Sequence, residues 1–240
     1  MRWLELGSRN FKGMWRDWLS LGVNLALPIV LLVVFQALES VDDFFAPASL
    51  APGVILFGFA MLTMTSAMAL ARDRETSLFA RLLTTPLAAR DFVLAYSAPY
   101  VAVAAIQAVV VMIIAIAFGA GVEGNPAWVV LILLLMALLY IALGMIIGTL
   151  VSYNAVTGPW TLVLLLTIFG GTWMNLDSIG GAFRTVADWF PFAHALDAIR
   201  GVILDGSSGG DIGTDLLWVA GYTALAVIAA TLVFRKRMAE

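Results

Sequence analysis

The sequence predicts an all-α polytopic membrane protein with six transmembrane helices. Three observations carry that prediction. Of 240 residues, 62% are hydrophobic and 12% charged, about half the charged share of an ordinary soluble domain. The apolar residues fall in continuous runs, several of which reach the roughly 20 residues that cross about 30 Å of hydrocarbon. Those runs lack the period-two alternation of a barrel wall, so helices rather than strands are expected. A large soluble helical core would need charged faces between its helices, and the long uncharged windows leave none.

The chain reads as a single transmembrane domain over residues 1–240, with spans at about 18–38, 50–71, 94–120, 127–151, 158–176 and 215–234. Ahead of the first span, residues 1–17 read as an interfacial helix. Leu4, Phe11, Trp15 and Trp18 share one helical stripe, while Arg2, Arg9 and Arg16 recur every seven residues on another. Such a helix places aromatics in lipid and arginines near anionic headgroups. It serves as a topology anchor or as a mechanical linker. The same segment has no small-residue cleavage site after a short apolar run, so it does not read as a removable signal. The chain has no cysteine, which excludes disulfides, thiolate catalysis and cysteine metal sites.

Orientation follows from the basic residues. An even number of spans puts both termini on one side. That side collects Arg2, Arg9, Lys12 and Arg16, then Arg72, Arg74, Arg81 and Arg90, then Arg235, Lys236 and Arg237. Only Arg184 and Arg200 of the 13 basic residues fall opposite. Both termini are therefore expected to be cytoplasmic.

Between the second and third spans lies the charged stretch RETSLFARLLTTPLAARDF, residues 74–92. Leu78 and Leu82, with Phe79 and Leu83 less regularly, form an apolar helical face, and Arg74, Glu75 and Arg81 lie off it. Pro86 biases Thr85 away from helix, which closes the element with a sharp turn. Asp91 suits the first turn of the next helix, where negative charge is favourable. The residues alone leave both a solvated loop and a partner-docking helix open.

Two further patterns stand out. Gly144 and Gly148 make a Gly-x-x-x-Gly step in the fourth span, a device for close helix approach. Pro191, His194, Asp197 and Arg200 lie at intervals of three, so on a helix the last three neighbour one another. A proton relay is conceivable there, but no serine or cysteine nucleophile sits at fitting spacing, and one histidine with one close carboxylate is a thin metal set. A clamp that fixes a short helix against its neighbours fits better than direct contact with a substrate. Residues 177–204 are too short for a full crossing before Pro191 and read as an outer hairpin, re-entrant or surface-lying. The glycine-rich stretch 205–215 reads as a flexible external loop.

The segment RDRETSLFARLLTTPLAARDFVLAYSAPY resembles the cytoplasmic element between the second and third spans of type-2 ATP-binding-cassette exporter permeases, the drug, polysaccharide and nodulation-factor export type. The matching residues are Arg74, Glu75, Ser77, Leu78, Arg81, Leu82, Thr85 and Pro86. The segment WFPFAHALDAIRGVIL is similar to the same family's Pro-x-x-His-x-x-Asp-x-x-Arg segment. The resemblance implies a cytoplasmic coupling helix over residues 72–85, docked in a partner ATPase through Arg74, Glu75, Leu78, Phe79, Arg81, Leu82, Thr85 and Pro86. It also implies short outer helices before the last span.

On that resemblance the chain is a non-enzymatic permease subunit that moves an amphiphilic, lipid-like or drug-like substrate out of a prokaryotic cell. It pairs with itself or with a similar permease, and two ATPase subunits dock beneath the pair. No Walker motif is present, so ATP and Mg belong to the partner and no cofactor is expected in this chain. Membrane lipid is an expected partner and nucleic acid is not. A secondary transporter is disfavoured by the lack of mid-membrane carboxylates and inverted repeats. A non-transporting assembly or signalling subunit is the other alternative.

Overall fold

The computed structural model describes residues 2–16, 18–40, 42–76 and 89–239, and every described element is helical. Continuous apolar runs leave the backbone no partner but itself in lipid, and helices satisfy it internally. The order is α1 (Arg2–Arg16), α2 (Trp18–Gln36), α3 (Pro47–Arg74), α4 (Ala89–Ala117), α5 (Pro126–Leu150), α6 (Thr157–Thr167), α7 (Leu176–Ile179), α8 (Gly181–Ala187), α9 (Pro191–Asp205) and α10 (Gly213–Ala239). A π-helical turn, Ile168–Thr172, extends α6.

Five stretches are long and apolar enough to cross a membrane: Pro47–Arg74, Asp91–Ala117, Pro126–Leu150, Tyr153–Thr172 and Gly213–Arg237. The expected first span differs. The stretch Leu21–Gln36 within α2 is apolar but shorter than membrane length, and Pro28 interrupts its ladder.

Other boundaries move for physical reasons. The span expected over 158–176 ends at Thr172, because Gly171 takes φ +97° and breaks the helix there. Residues 72–74, expected in a separate coupling helix, form instead the last turn of α3. A hydropathy drop marks where a helix leaves the apolar layer, not where it stops. Local capping sets several of the starts. The Asn125 side chain accepts from the Ala127 N–H, with Pro126 in the first turn of α5. Asn175 caps α7, and Gly206 ends α9 in the left-handed conformation.

The bundle is centred on α3 and α5, its most buried helices, while α10 is the most exposed of the long ones. α3 packs along α5, α4 and α2; α10 runs along α5, α1 lies against α4, and α9 packs on α10, α5 and α3. The α3–α5 contact depends on two glycines of α5. A Cβ on Gly148 would stand 2.5 Å from the Ala67 carbonyl oxygen, and one on Gly144 would overlap Ser66 and the Thr63 carbonyl. At this close seam the Thr63 hydroxyl donates to the Tyr140 carbonyl at 2.9 Å. Tyr140 is fully buried, and its hydroxyl lies 2.7 Å from Thr167 Oγ1 on α6. Trp160 Nε1 ties α6 to α3 by donating to the Ala60 carbonyl at 2.8 Å.

Candidate functional site at the two ends of the bundle

The residues singled out in the sequence gather at opposite ends of α3. At its C-terminal end, the last turn of α3 bonds to both sides. Asp73 accepts from Arg9 Nη2 at 2.8 Å and from the Tyr96 hydroxyl at 2.6 Å, which joins α3 to α1 and α4. Arg9 therefore has a carboxylate partner inside the protein, where the sequence pointed to lipid headgroups. Arg74 Nη1 donates to the Gly148 carbonyl at 2.6 Å, and Glu75 accepts from the Tyr153 N–H at 2.9 Å. Arg72 Nη2 donates to the Tyr153 hydroxyl at 3.0 Å, with the guanidinium 4.9 Å from that ring's centre. The turn before residue 77 is thus joined to the end of α5 and to the segment 151–153. Arg74 and Glu75 bond within the chain. Leu78, Phe79, Arg81, Leu82, Thr85 and Pro86 lie outside the described residues.

A proline explains how α1 is held. Pro99 sits inside α4 and has no N–H for the carbonyl four residues back. That carbonyl, of Ala95, accepts instead from Asn10 Nδ2 at 3.2 Å. Gly7 reaches the same place, since a Cβ on it would touch Ala95. The signal was available in the sequence: a proline inside an apolar helical run predicts an orphaned carbonyl.

At the other end, Pro191 occupies the first turn of α9, and His194, Asp197 and Arg200 project from that helix to three different destinations. Nδ1 of His194 lies 2.7 Å from Asp215 of α10, and Nε2 lies 2.8 Å from the Asp188 carbonyl. Both partners are acceptors, so both bonds at once require N–H on each nitrogen. The ring also stacks on Trp218, with centroids 5.0 Å apart. Asp197 accepts from Arg184 Nη2 at 2.6 Å, and Arg184 Nε reaches Asp188 at 2.9 Å. Burial alone would lower the Arg184 guanidinium, but the hydrogen bond and charge of Asp197, with Asp188 and Asp177, carry it upward. Burial raises the Asp197 carboxyl, and Arg184 offsets this only in part.

Arg200 makes the longest reach. Its Nε donates to the Ser49 carbonyl at 2.9 Å and its Nη2 to the Gly171 carbonyl at 3.0 Å. The guanidinium sits 4.8 Å from the centre of the Phe44 ring. One side chain therefore joins α9 to the start of α3 and to the π turn after α6. Burial lowers this guanidinium to about 10, against the opposing charge of Asp197, so it remains protonated at neutral pH. The stretch after α9 is no loose loop. Gly206 takes φ +67°, and Asp211 accepts from both the N–H and the hydroxyl of Ser208 at 2.8 Å. Those two bonds hold its carboxyl below the usual range.

Two polar groups inside the crossings complete the picture. Asn24 Nδ2 donates to Thr65 Oγ1 at 3.1 Å and links α2 to α3. Gln107 on α4 is buried and donates to the Ile55 carbonyl at 3.3 Å. It was missed in the sequence, where a single amide among apolar neighbours carries no period. Its side chain meets α3 at Gly58, where a Cβ would overlap it. Among the described residues no three His, Asp or Glu side chains are grouped to hold a metal ion.

No curated protein matches the chain. The family model of the ABC-2 type transporter membrane component matches residues 2–204, a stretch that takes in both ends of the bundle. The chain belongs to the ABC-2 type transporter family, a prokaryotic-type family of non-catalytic, multi-pass membrane permeases that work with ATP-binding-cassette ATPase subunits.

Proposed function

We propose that the chain is the permease subunit of an ATP-driven exporter, a single transmembrane domain of six spans with α2 as the first. Both termini are cytoplasmic, α1 lies in the inner interface, and the protein resides in a prokaryotic plasma membrane. Two permease chains, identical or similar, enclose the path, and one ATPase docks beneath each. The docking element is a coupling segment over residues 72–85, with Arg74, Glu75, Leu78, Phe79, Arg81 and Leu82 as its contact residues and Thr85-Pro86 as its closing turn. The cargo is amphiphilic, lipid-like or drug-like, in keeping with crossings that carry amides and hydroxyls. Residues 177–204 form the outer hairpin, with Pro191, His194, Asp197 and Arg200 as its clamp.

The observation that carries this reading is the bonding of the last turn of α3. Directly before residue 77 that turn is joined to α1 and α4 through Asp73, and to α5 and residues 151–153 through Arg74 and Glu75. A push on the coupling segment would therefore reach four neighbouring elements through short, directional bonds. The work of that push comes from ATP-dependent differential binding in the partner.

The test is co-purification of tagged protein from its own membranes, with the captured proteins identified and ATP hydrolysis assayed. An ATP-binding-cassette ATPase is expected, and the double variant Leu78→Asp, Leu82→Asp should lose it while remaining in the membrane. Retention of the ATPase by that variant, or recovery of none by the unaltered chain, refutes the reading.

A further inference from the structure

His194 is the one histidine of the chain, and it stands where three segments meet. Its side chain is largely buried. Nδ1 faces the Asp215 carboxylate in the first turn of α10 at 2.7 Å, and Nε2 faces the Asp188 carbonyl, just after α8, at 2.8 Å. A carbonyl and an ionised carboxylate only accept, so both bonds together require one proton more than a neutral ring beside a carboxylate holds. On Nδ1 or on Asp215, that proton completes the same pair of bonds. The ring lies at 11° to the Trp218 ring, whose face favours a cation.

The other charged groups around the ring are turned elsewhere. Arg184 of α8 binds Asp197 and lies against Asp188 and Asp177. Arg200 reaches the Ser49 and Gly171 carbonyls. α5 carries no charged residue, and the charges of α3 are confined to its last turn. Tyr222 of α10 stacks on the Trp218 ring and donates its hydroxyl to the Trp189 carbonyl at 2.7 Å. The turn between α8 and α9 is thus tied at two successive carbonyls, Asp188 by His194 and Trp189 by Tyr222. Only the first tie depends on an added proton.

Loss of that proton leaves one ring N–H for two acceptors. A carboxylate holds a donor more strongly than a neutral carbonyl does, so Nδ1 keeps the hydrogen. Nε2 then presents a lone pair to the Asp188 carbonyl, and the two oppose each other. We propose that His194 is a pH-sensitive latch: protonated, it closes the turn after α8 onto α9 and α10, and deprotonated, it releases that turn. The sign follows from the proton count. The latched form binds the extra proton, so acid favours it and rising pH favours release. Histidine ordinarily exchanges its proton between about pH 5 and 8. Arg200 keeps its protons over that range, so α9 stays seated on α3 while the turn opens. The latch needs only the folded chain and stands or falls apart from ATP-driven export.

The test uses the full chain with isotope-labelled histidine in phosphatidylcholine nanodiscs, where a single histidine makes its ring-nitrogen NMR signals unambiguous. At the acid end of the range about pH 5 to 8 both nitrogens should carry hydrogen, and on raising the pH Nε2 alone should lose it. The amides of residues 188–190 are hydrogen-bonded within the turn, so their deuterium exchange reports its opening. Corrected for its intrinsic pH dependence, that exchange should rise about fivefold over the same interval, the equivalent of about 1 kcal/mol. Exchange around Ser49 should stay constant. His194→Gln should abolish the pH dependence at 188–190, and Asp215→Asn, which removes the charge facing Nδ1, should move the Nε2 titration to lower pH. A ring that holds one hydrogen throughout, or both throughout, overturns the proposal in the unaltered chain without recourse to any variant. So does loss of the hydrogen from Nδ1 in place of Nε2, or a titration that leaves exchange at 188–190 unchanged.

Discussion

Arg200 and Asp73 both tie α3 to its neighbours, one near the start of the helix and the other near its end, and they do it differently. Arg200 donates to two neutral carbonyls, that of Ser49 in the first turn of α3 and that of Gly171 in a π turn with positive φ. Asp73 meets a cation and a phenol beside a cavity, and the Arg9–Asp73 pair keeps side-chain exposures of 38% and 29%. A bond to a buried carbonyl cannot be exchanged for one to water, so its loss leaves an unsatisfied group. A half-exposed ion pair can be rehydrated when it opens. The Arg200 end is thus built to hold its shape and the Asp73 end to change it. That division suits the proposal of a permease driven from the end of α3 that carries residues 72–85.

The comparison is broken most directly at Arg200. Arg200→Met should take a donor from two buried carbonyls and cost about 3 kcal/mol, seen as a large drop in the detergent melting temperature. Loss at the seam between the two ends comes next. Gly148→Val should force α5 off Ala67 and cost about 1–3 kcal/mol by overpacking, with a fall in melting temperature that Gly221→Ala, where a Cβ meets nothing, does not show. Asp73→Asn sharpens the contrast. It should cost about 0.5–1 kcal/mol of stability, yet lower ATPase stimulation by the permease several-fold. Equal losses of stability from Asp73→Asn and Arg200→Met would remove the distinction between the ends. The smallest effect is expected from Asn10→Ala, about 0.5 kcal/mol, because the Ala95 carbonyl loses one donor while Arg9, which also donates to Asn10 Oδ1, keeps Asp73. Proteolysis of α1 in nanodiscs would detect it as faster cleavage.

Much of this was legible in the sequence because the membrane imposes long, continuous signals. The crossings from α3 to α10 follow directly from apolar runs, and the Gly144–Gly148 step lies where α5 closely approaches α3. What escaped were features decided by non-local geometry. His194, Asp197 and Arg200 were expected to neighbour one another, and they do share α9, but their bonds go to α10, α8, α3 and the π turn. Spacing within one helix reveals a shared face and not which segment covers it. Arg74 and Glu75 were placed among partner contacts from a local motif, which gave no sign that both also bond within the chain, to the end of α5 and the residues after it. The glycine-rich stretch after α9 read as loose from composition, yet a bond between Ser208 and Asp211 closes it.

The central proposal is that the coupling segment, residues 72–85, meets an ATPase on the side opposite the Arg200 end. The chain has no cysteine, so a single Leu82→Cys variant can carry a short bifunctional maleimide–amine cross-linker in native membranes. The account predicts a covalent product with an ATP-binding-cassette ATPase from Leu82→Cys and none from Ser207→Cys. Cross-linking of the ATPase from Ser207→Cys, or of no ATPase from Leu82→Cys, would contradict it.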